Sequence, residues 1–245
     1  MAHLYDQIGT GYAALRRPDP RLAATITQAL RDAETVVNVG AGAGSYEPLD
    51  RSVVAVEPSR TMIQQRPAGS APVVQASATH LPFQDATFGA ALAVLTVHHW
   101  PDRLRGLREL ARVARDRVVV VTWDPVVFAG FWLVEDYLPD IVEIDRRIFP
   151  TMDELQRALG AITTYPLLIP HDCTDGFLGA YWRRPHAYLN PEVRSAISTF
   201  AKISGVEERL APLARDLADG TWQRQYHHLL DQTEVDLGYR VVVSA

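Results

Sequence analysis

The stretch Val36-Val37-Asn38-Val39-Gly40-Ala41-Gly42-Ala43-Gly44-Ser45 constrains this chain more than any other. Its β-branched start favours a buried parallel strand. Three glycines on alternate positions then let the chain turn sharply and leave no Cβ between backbone and a ligand. A second apolar run, Val53-Val54-Ala55-Val56, ends in Glu57. Strand, glycine turn, strand and terminal acid form the pattern of a nucleoside-binding crossover unit. The two strand tips are expected to offer backbone N–H groups to one end of a ligand and a carboxylate to its ribose.

The glycine spacing selects among nucleosides. A dinucleotide fingerprint needs Gly-x-Gly-x-x-Gly, whereas here the third glycine comes one residue early and Ser45 fills its slot. Pro48 confines any following helix to residues 45–50, one or two turns at most. A pyrophosphate normally rests on such a helix N-terminus. The turn therefore suits a ligand without one, such as S-adenosylmethionine.

Composition narrows the setting. The chain has 245 residues, 47% hydrophobic and 22% charged, which fits one large globular domain or a domain with a substantial insertion. A net charge of −5 gives no footprint for nucleic acid. The single cysteine, Cys173, cannot form an internal disulfide and fits a reducing, cytoplasmic compartment. Residues 1–6 lack the basic and apolar segments of a signal peptide, and no apolar run approaches the ~20 residues that span a bilayer. The expected partner is a small molecule rather than nucleic acid or membrane.

Taken in order, residues 1–34 hold an arm with Tyr5, Tyr12, Arg16 and Arg17, then a helix over 21–32. The arm reads either as a solvated tail or as a flap. In the second case its tyrosines close over a sulfonium cation, worth roughly 0.5–2 kcal/mol, and Arg16 pairs with a carboxylate. Pro58 and Ser59 open a short helix to Arg66, on which Met62 either fills core or lies over a base. Residues 73–75 form a third strand. Residues 76–88 carry Ser77-Ala78-Thr79 and Leu81-Pro82-Phe83-Gln84-Asp85-Ala86-Thr87-Phe88, and a fourth strand over 89–97 runs into His98-His99-Trp100-Pro101.

On these motifs the chain resembles the class I S-adenosylmethionine-dependent methyltransferases, in the branch with a Leu-Pro-Phe-x-Asp-x-x-Phe segment. The resemblance covers about residues 35–124. It implies an α/β, Rossmann-like seven-stranded sheet in the order 3-2-1-4-5-7-6, with strand seven antiparallel. It implies that Gly40, Ala41 and Gly42 touch the methionine part of the cofactor and Glu57 the ribose hydroxyls. Pro58 and Met62 match the ribose-binding strand end and the next helix. Ala78 and Thr79 would flank the adenine, and Leu95 and Thr96 would meet the methionine amino group. Many relatives carry an Asp that bonds the adenine amine where this chain has Ser77, a weaker acceptor.

The remainder builds the acceptor side. A helix over 101–113 presents Leu104, Leu107, Leu110 and Ala111 on one face. A fifth strand over 118–123 ends in Trp123, a sixth spans 162–169, and a seventh returns at 237–243. The core is expected over 35–169 plus 235–245. Residues 170–234 then form a helical cap inserted between strands six and seven, to which 126–150 also contributes. Helices are expected over 177–183, 191–203, 206–218 and 221–230. Trp123, Phe128, Trp132, Tyr137, Tyr181 and Trp182 would either wall a planar or apolar acceptor or form the cap's own core.

Methyl transfer is an in-line displacement in which charge is lost, so alignment and desolvation dominate. A base is needed only where the nucleophile must shed a proton. His99 is the preferred candidate, with His98 nearer the methionine end; the pair would otherwise only shape the pocket. His171, in His171-Asp172-Cys173-Thr174-Asp175, is a second candidate or part of a structural turn, and the cluster has poor metal-ligand spacing. No metal is expected. The favoured activity is methyl transfer to the O, N or activated C of a small molecule. The alternatives are cofactor binding without turnover, or a protein or RNA acceptor.

Overall fold

The computed structural model describes residues 16–244. Tyr5 and Tyr12 lie outside the described residues. Strands β1 (Thr35–Val39), β2 (Ser52–Val56), β3 (Val73–Val74), β4 (Phe88–Val94), β5 (Ala114–Trp123), β6 (Ile162–Pro166) and β9 (Tyr239–Ser244) form one sheet in the order β3-β2-β1-β4-β5-β9-β6. β1 to β5 are mutually parallel, and β9 runs antiparallel to both its neighbours. With β9 as the seventh strand, this is the order that the resemblance implied.

Period-two patterning explains the layers. Val36, Leu92, Val119, Val121 and Val241 point to one face, where Leu22 and Ile26 of the helix Pro20–Ala29 cover them. Val37, Val39, Ala91, Val118, Val120 and Val242 point to the other, under the helices Arg103–Val113 and Met152–Leu159. The latter helix is closed by a capping box between Thr151 and Glu154.

The sixth strand is shorter than expected. It leaves the sheet at Pro166, and Ile169–Pro170 (β7) pairs instead with Glu234–Val235 (β8) in a separate antiparallel ribbon. This ribbon joins the two ends of the insertion. His171 N donates to Thr233 O at 2.9 Å just beyond it.

The insertion is less regular than hydrophobic periodicity suggests. The helix Val206–Ala218 forms as expected. The stretch expected as a helix over 177–183 is one short 3-10 turn, Leu178–Tyr181. The helix expected over 191–203 stops after Pro191–Ser195, where the Ser195 hydroxyl donates back to Glu192 O. The helix expected over 221–230 breaks at Tyr226, whose ring is buried between Trp132 and Trp222. Tertiary packing of one aromatic ring overrides local propensity there.

Segment 126–150 and the insertion share a single core. Trp132 Nε1 donates to Trp182 O at 2.8 Å, and its ring meets those of Trp222, Tyr188 and Tyr137. That core is continuous with the sheet face carrying Val119 and Val121. The cap is thus fastened to the C-terminal edge of the sheet, where open α/β sheets hold ligands. Among the described residues, no helix is long and apolar enough to cross a membrane.

Candidate functional site

A crevice opens at the C-terminal ends of β1, β2 and β4. Its first wall is the glycine turn. Gly40, Gly42 and Gly44 have φ of +72°, +53° and +98°, the left-handed region that favours glycine. A Cβ on Gly40 would stand 2.0 Å from Thr96 Oγ1, so the tip of β1 is pressed directly against the end of β4. The turn is anchored from behind by a buried ion pair. Arg66 Nη2 donates to both carboxylate oxygens of Glu47, at 2.9 and 2.8 Å, and its other arm reaches Gly42 O. No helix follows the turn.

The amides of this turn are already committed. Gly40 N and Ala41 N both donate to Val56 O, and Gly42 N donates to Glu57 Oε2 at 2.8 Å. The expectation that these N–H groups face a ligand is therefore corrected. What Gly40, Ala41 and Gly42 offer is bare backbone surface, with their N–H groups spent on holding β1 to the end of β2. Two non-glycine residues beside it also have positive φ, Tyr46 at +61° and Leu95 at +49°. Each costs about 1–2 kcal/mol, and both side chains line the crevice.

Glu57, 7% exposed, closes the second wall. Its Oε1 accepts from Ser59 N at 2.9 Å while Oε2 takes Gly42 N. Burial pushes its carboxyl upward, partly offset by these two N–H bonds. Each oxygen retains a further lone pair for a vicinal diol. Pro58, Met62, Ser77 and Ala78 continue this wall. Thr79 does not line the crevice: its hydroxyl lies between Ser77 Oγ and His80 Nδ1, and its amide donates to Ser77 Oγ. The adenine role expected of Thr79 is thus not supported by its placement, and Ser77 already has an internal partner.

The far end is built by the cap. His98, Phe149 and Trp123 stack in sequence, with centroid separations of 4.1 and 3.7 Å, and His99 packs on His98 at 3.8 Å. Trp123, Phe177, Leu178 and Ile197 supply apolar wall, and Ser198 and Thr199 supply hydroxyls; Arg16, which also lines the crevice, shares Asp175 with Tyr46 beside the glycine turn. Burial, reinforced by Lys202 and Arg16, pushes His99 down to about 3; burial and the neighbouring His99 push His98 well below the usual imidazole range. Both rings are neutral near pH 7.

Other expected residues fall elsewhere. Phe128, Trp132, Tyr137 and Trp182 are buried in the cap's own core, and Tyr181 packs edge-on against Tyr188 with Arg184 over its face. None of the five lines the crevice, so of the expected acceptor wall only Trp123 does. The physical reason is that these rings find partners inside the fold: Trp132, Tyr137 and Tyr181 meet other cap rings, Phe128 packs on Trp123, Phe131 and Tyr239, and Trp182 Nε1 donates to Ile169 O and Pro170 O. His171 sits beside the β7–β8 ribbon, 3.4 Å from Asp172, and is likewise absent from the crevice. Among the described residues, no three metal-ligating side chains converge. Tyr46, Phe177, Leu178 and residues 197–199 line the crevice without having been singled out from sequence. Only Tyr46 left a signal there, an aromatic residue directly after the glycine turn.

S-adenosylmethionine fits what these walls provide. The Cβ-free turn admits close approach, Glu57 matches a ribose diol, and the absence of a helix after the turn leaves nothing to seat a pyrophosphate. Comparison with known proteins agrees. The methyltransferase-domain family profile matches residues 37–122. A crystal structure from Anabaena variabilis, described as a putative methyltransferase from an antibiotic biosynthesis pathway, is 32% identical. That match covers 94% of this chain and 99% of the other, with a TM-score of 0.86. A Thermotoga maritima S-adenosylmethionine-dependent methyltransferase, described as a possible histamine N-methyltransferase, shares the fold. It is 21% identical over 69% of this chain and 86% of its own, with a TM-score of 0.56. An uncharacterized Mycobacterium tuberculosis protein is 23% identical over 234 residues, 82% of this chain and 81% of that one. Glycine turn, acid-tipped second strand, sheet order and near full-length similarity together place the chain among the class I S-adenosylmethionine-dependent methyltransferases, the family to which it belongs.

Proposed function

We propose that this protein transfers the methyl group of S-adenosylmethionine to a small, largely apolar acceptor held in the cap-lined end of the crevice. The observation that carries the reading is the junction of two chemically different walls. Bare glycine backbone and the Glu57 carboxylate meet a chamber of Trp123, Phe177, Leu178 and Ile197 within one continuous crevice.

When bound, the cofactor supplies an electrophilic methyl on a sulfonium. The chain's own residues do the rest. Gly40, Ala41 and Gly42 pack against the methionine tail, Glu57 accepts from the ribose hydroxyls, and Met62, Ser77 and Ala78 border the base. Leu95, Thr96 and His98 close the side facing β4. Trp123 and the insertion residues exclude water, which favours a step that disperses charge. His99 is a neutral imidazole that orients the acceptor by hydrogen bonding. With its protonated form disfavoured to about pH 3, it is a weak proton acceptor.

Calorimetric titration with S-adenosylmethionine and with NAD separates this from a nicotinamide-dependent reading: the former binds and the latter does not. Release of S-adenosylhomocysteine is then followed over a panel of hydroxyl, amine and activated-carbon acceptors. Binding without release across the panel would favour a cofactor-binding protein without turnover. No binding of the sulfonium ligand would remove the proposal.

A further inference from the structure

Asp175 belongs to the insertion, yet its carboxylate is spent on the cofactor side. Its side chain is 1% exposed. Oδ1 accepts from Arg16 Nε at 2.6 Å and from Gly176 N at 2.7 Å. Oδ2 accepts from the Tyr46 hydroxyl at 2.9 Å and from Arg16 Nη2 at 3.3 Å. One carboxylate therefore joins three segments far apart in sequence: the stretch leading into the first helix, the residue after the glycine turn, and the cap. A second fastening runs beside it. Asp19 N donates to Tyr46 Oη at 3.4 Å, and Thr174 N donates to Asp19 Oδ2 at 3.0 Å.

Both side chains that Asp175 holds line the crevice, whereas Asp175 itself stands behind them. Arg16 is the one Lys or Arg among the described crevice-lining residues. It is thus the natural counter-charge for the carboxylate on a methionine tail. Tyr46 sits in a strained backbone conformation next to the same turn, with φ +61°. Its ring stays against the crevice while its buried hydroxyl is tied down. Two and three residues beyond Asp175, Phe177 and Leu178 line the proposed acceptor chamber. A single short segment thus reaches both ends of the crevice.

We propose that Asp175 is a positioning residue for the amino-acid end of the cofactor, acting through the guanidinium of Arg16 and the ring of Tyr46. The inference rests on the placement of S-adenosylmethionine given above.

The test uses the full chain and two ligands that differ only at that end. S-adenosylhomocysteine keeps the amino-acid tail, and methylthioadenosine lacks it. Dissociation constants are measured by calorimetry for the parent protein, Asp175→Asn, Tyr46→Phe and a control, Glu207→Gln, whose residue pairs with Arg194 at the rim of the insertion. Asp175→Asn is expected to bind S-adenosylhomocysteine at least tenfold more weakly and methylthioadenosine within twofold of the parent. Tyr46→Phe should show the same selectivity at about fivefold, and the control should change neither. General damage to the fold would weaken both ligands together and so would overturn the proposal. So would unchanged affinity for S-adenosylhomocysteine in Tyr46→Phe, which keeps the Arg16–Asp175 pair and decides the matter if Asp175→Asn does not fold. A parent protein that binds neither ligand would defeat the functional reading itself, a result distinct from either of these.

Discussion

The two ends of the crevice are built by different means. The cofactor end is a backbone structure. Strand tips, three left-handed glycines and one carboxylate make it, and nearly every polar atom there is paired. The end proposed for the acceptor is a side-chain structure. It is stacked from Phe149, Trp123 and His98 and closed by an irregular insertion. The carboxylate of Asp145, 1% exposed, makes no well-formed hydrogen bond, and the Trp123 indole beside it offsets its burial only in part. A backbone-built site tolerates no added atom, whereas a side-chain-built site tolerates substitution and can change its specificity.

The sharpest way to break that contrast is Gly40→Ala. A methyl 2.0 Å from Thr96 Oγ1 and 2.8 Å from Thr96 Cβ, on a residue at φ +72°, must push Thr96 away from the tip of β1. The expected loss in cofactor binding is about 3 kcal/mol or more, over a hundredfold, read by calorimetry. Adding Thr96→Ala should recover only the part due to crowding, since the backbone strain remains.

Glu57→Ala comes next. It removes the proposed diol acceptor and frees Gly42 N and Ser59 N, so S-adenosylhomocysteine binding should weaken by about 1–3 kcal/mol. An unchanged dissociation constant would move the ribose elsewhere.

Trp132→Phe tests the other half. It deletes the bond to Trp182 O inside the cap core. Stability to urea should fall by about 1–2 kcal/mol while cofactor affinity stays within twofold. A large loss of affinity would mean that the cap core and the glycine turn are not separable.

The smallest effect has the opposite sign. Burial raises Asp145 from 3.8 to about 7. The folded state must therefore carry a buried charge at high pH that the unfolded state carries in water. Stability from this residue is full below about pH 4 and declines as pH rises through 7. Asp145→Asn should accordingly be stabilising by about 1–2 kcal/mol at pH 8 and neutral near pH 4, seen as a pH-dependent shift in the urea midpoint.

The same contrast explains what was legible in the sequence. Strand alternation such as Val118 to Val121 encodes two sheet faces, and glycine spacing encodes a turn; both are local properties of the chain. The strands and the positions of Gly40, Gly42 and Glu57 could therefore be read directly, whereas the sheet order followed from the family resemblance that those motifs carry. The cap could not. Trp132 and Trp182 announce that they must be buried, but whether against a ligand or each other depends on packing between segments fifty residues apart. Residues 197–199 reach the crevice because a helix stops at Ser195, and Tyr46 and Asp175 matter through each other. The Thr79 hydroxyl lies between Ser77 and His80, an arrangement set by backbone geometry that residue spacing does not encode.

The slot occupied by β9 bears on how the molecule is made. β9 lies between β5 and β6 and is the one strand of the sheet that β6 pairs with. On the ribosome both flanking edges emerge first, and they wait through synthesis of the whole insertion before their shared neighbour arrives. Until then, two rows of open amides are exposed to any passing strand, the interval in which a nascent chain is most exposed to misassembly and most dependent on chaperones.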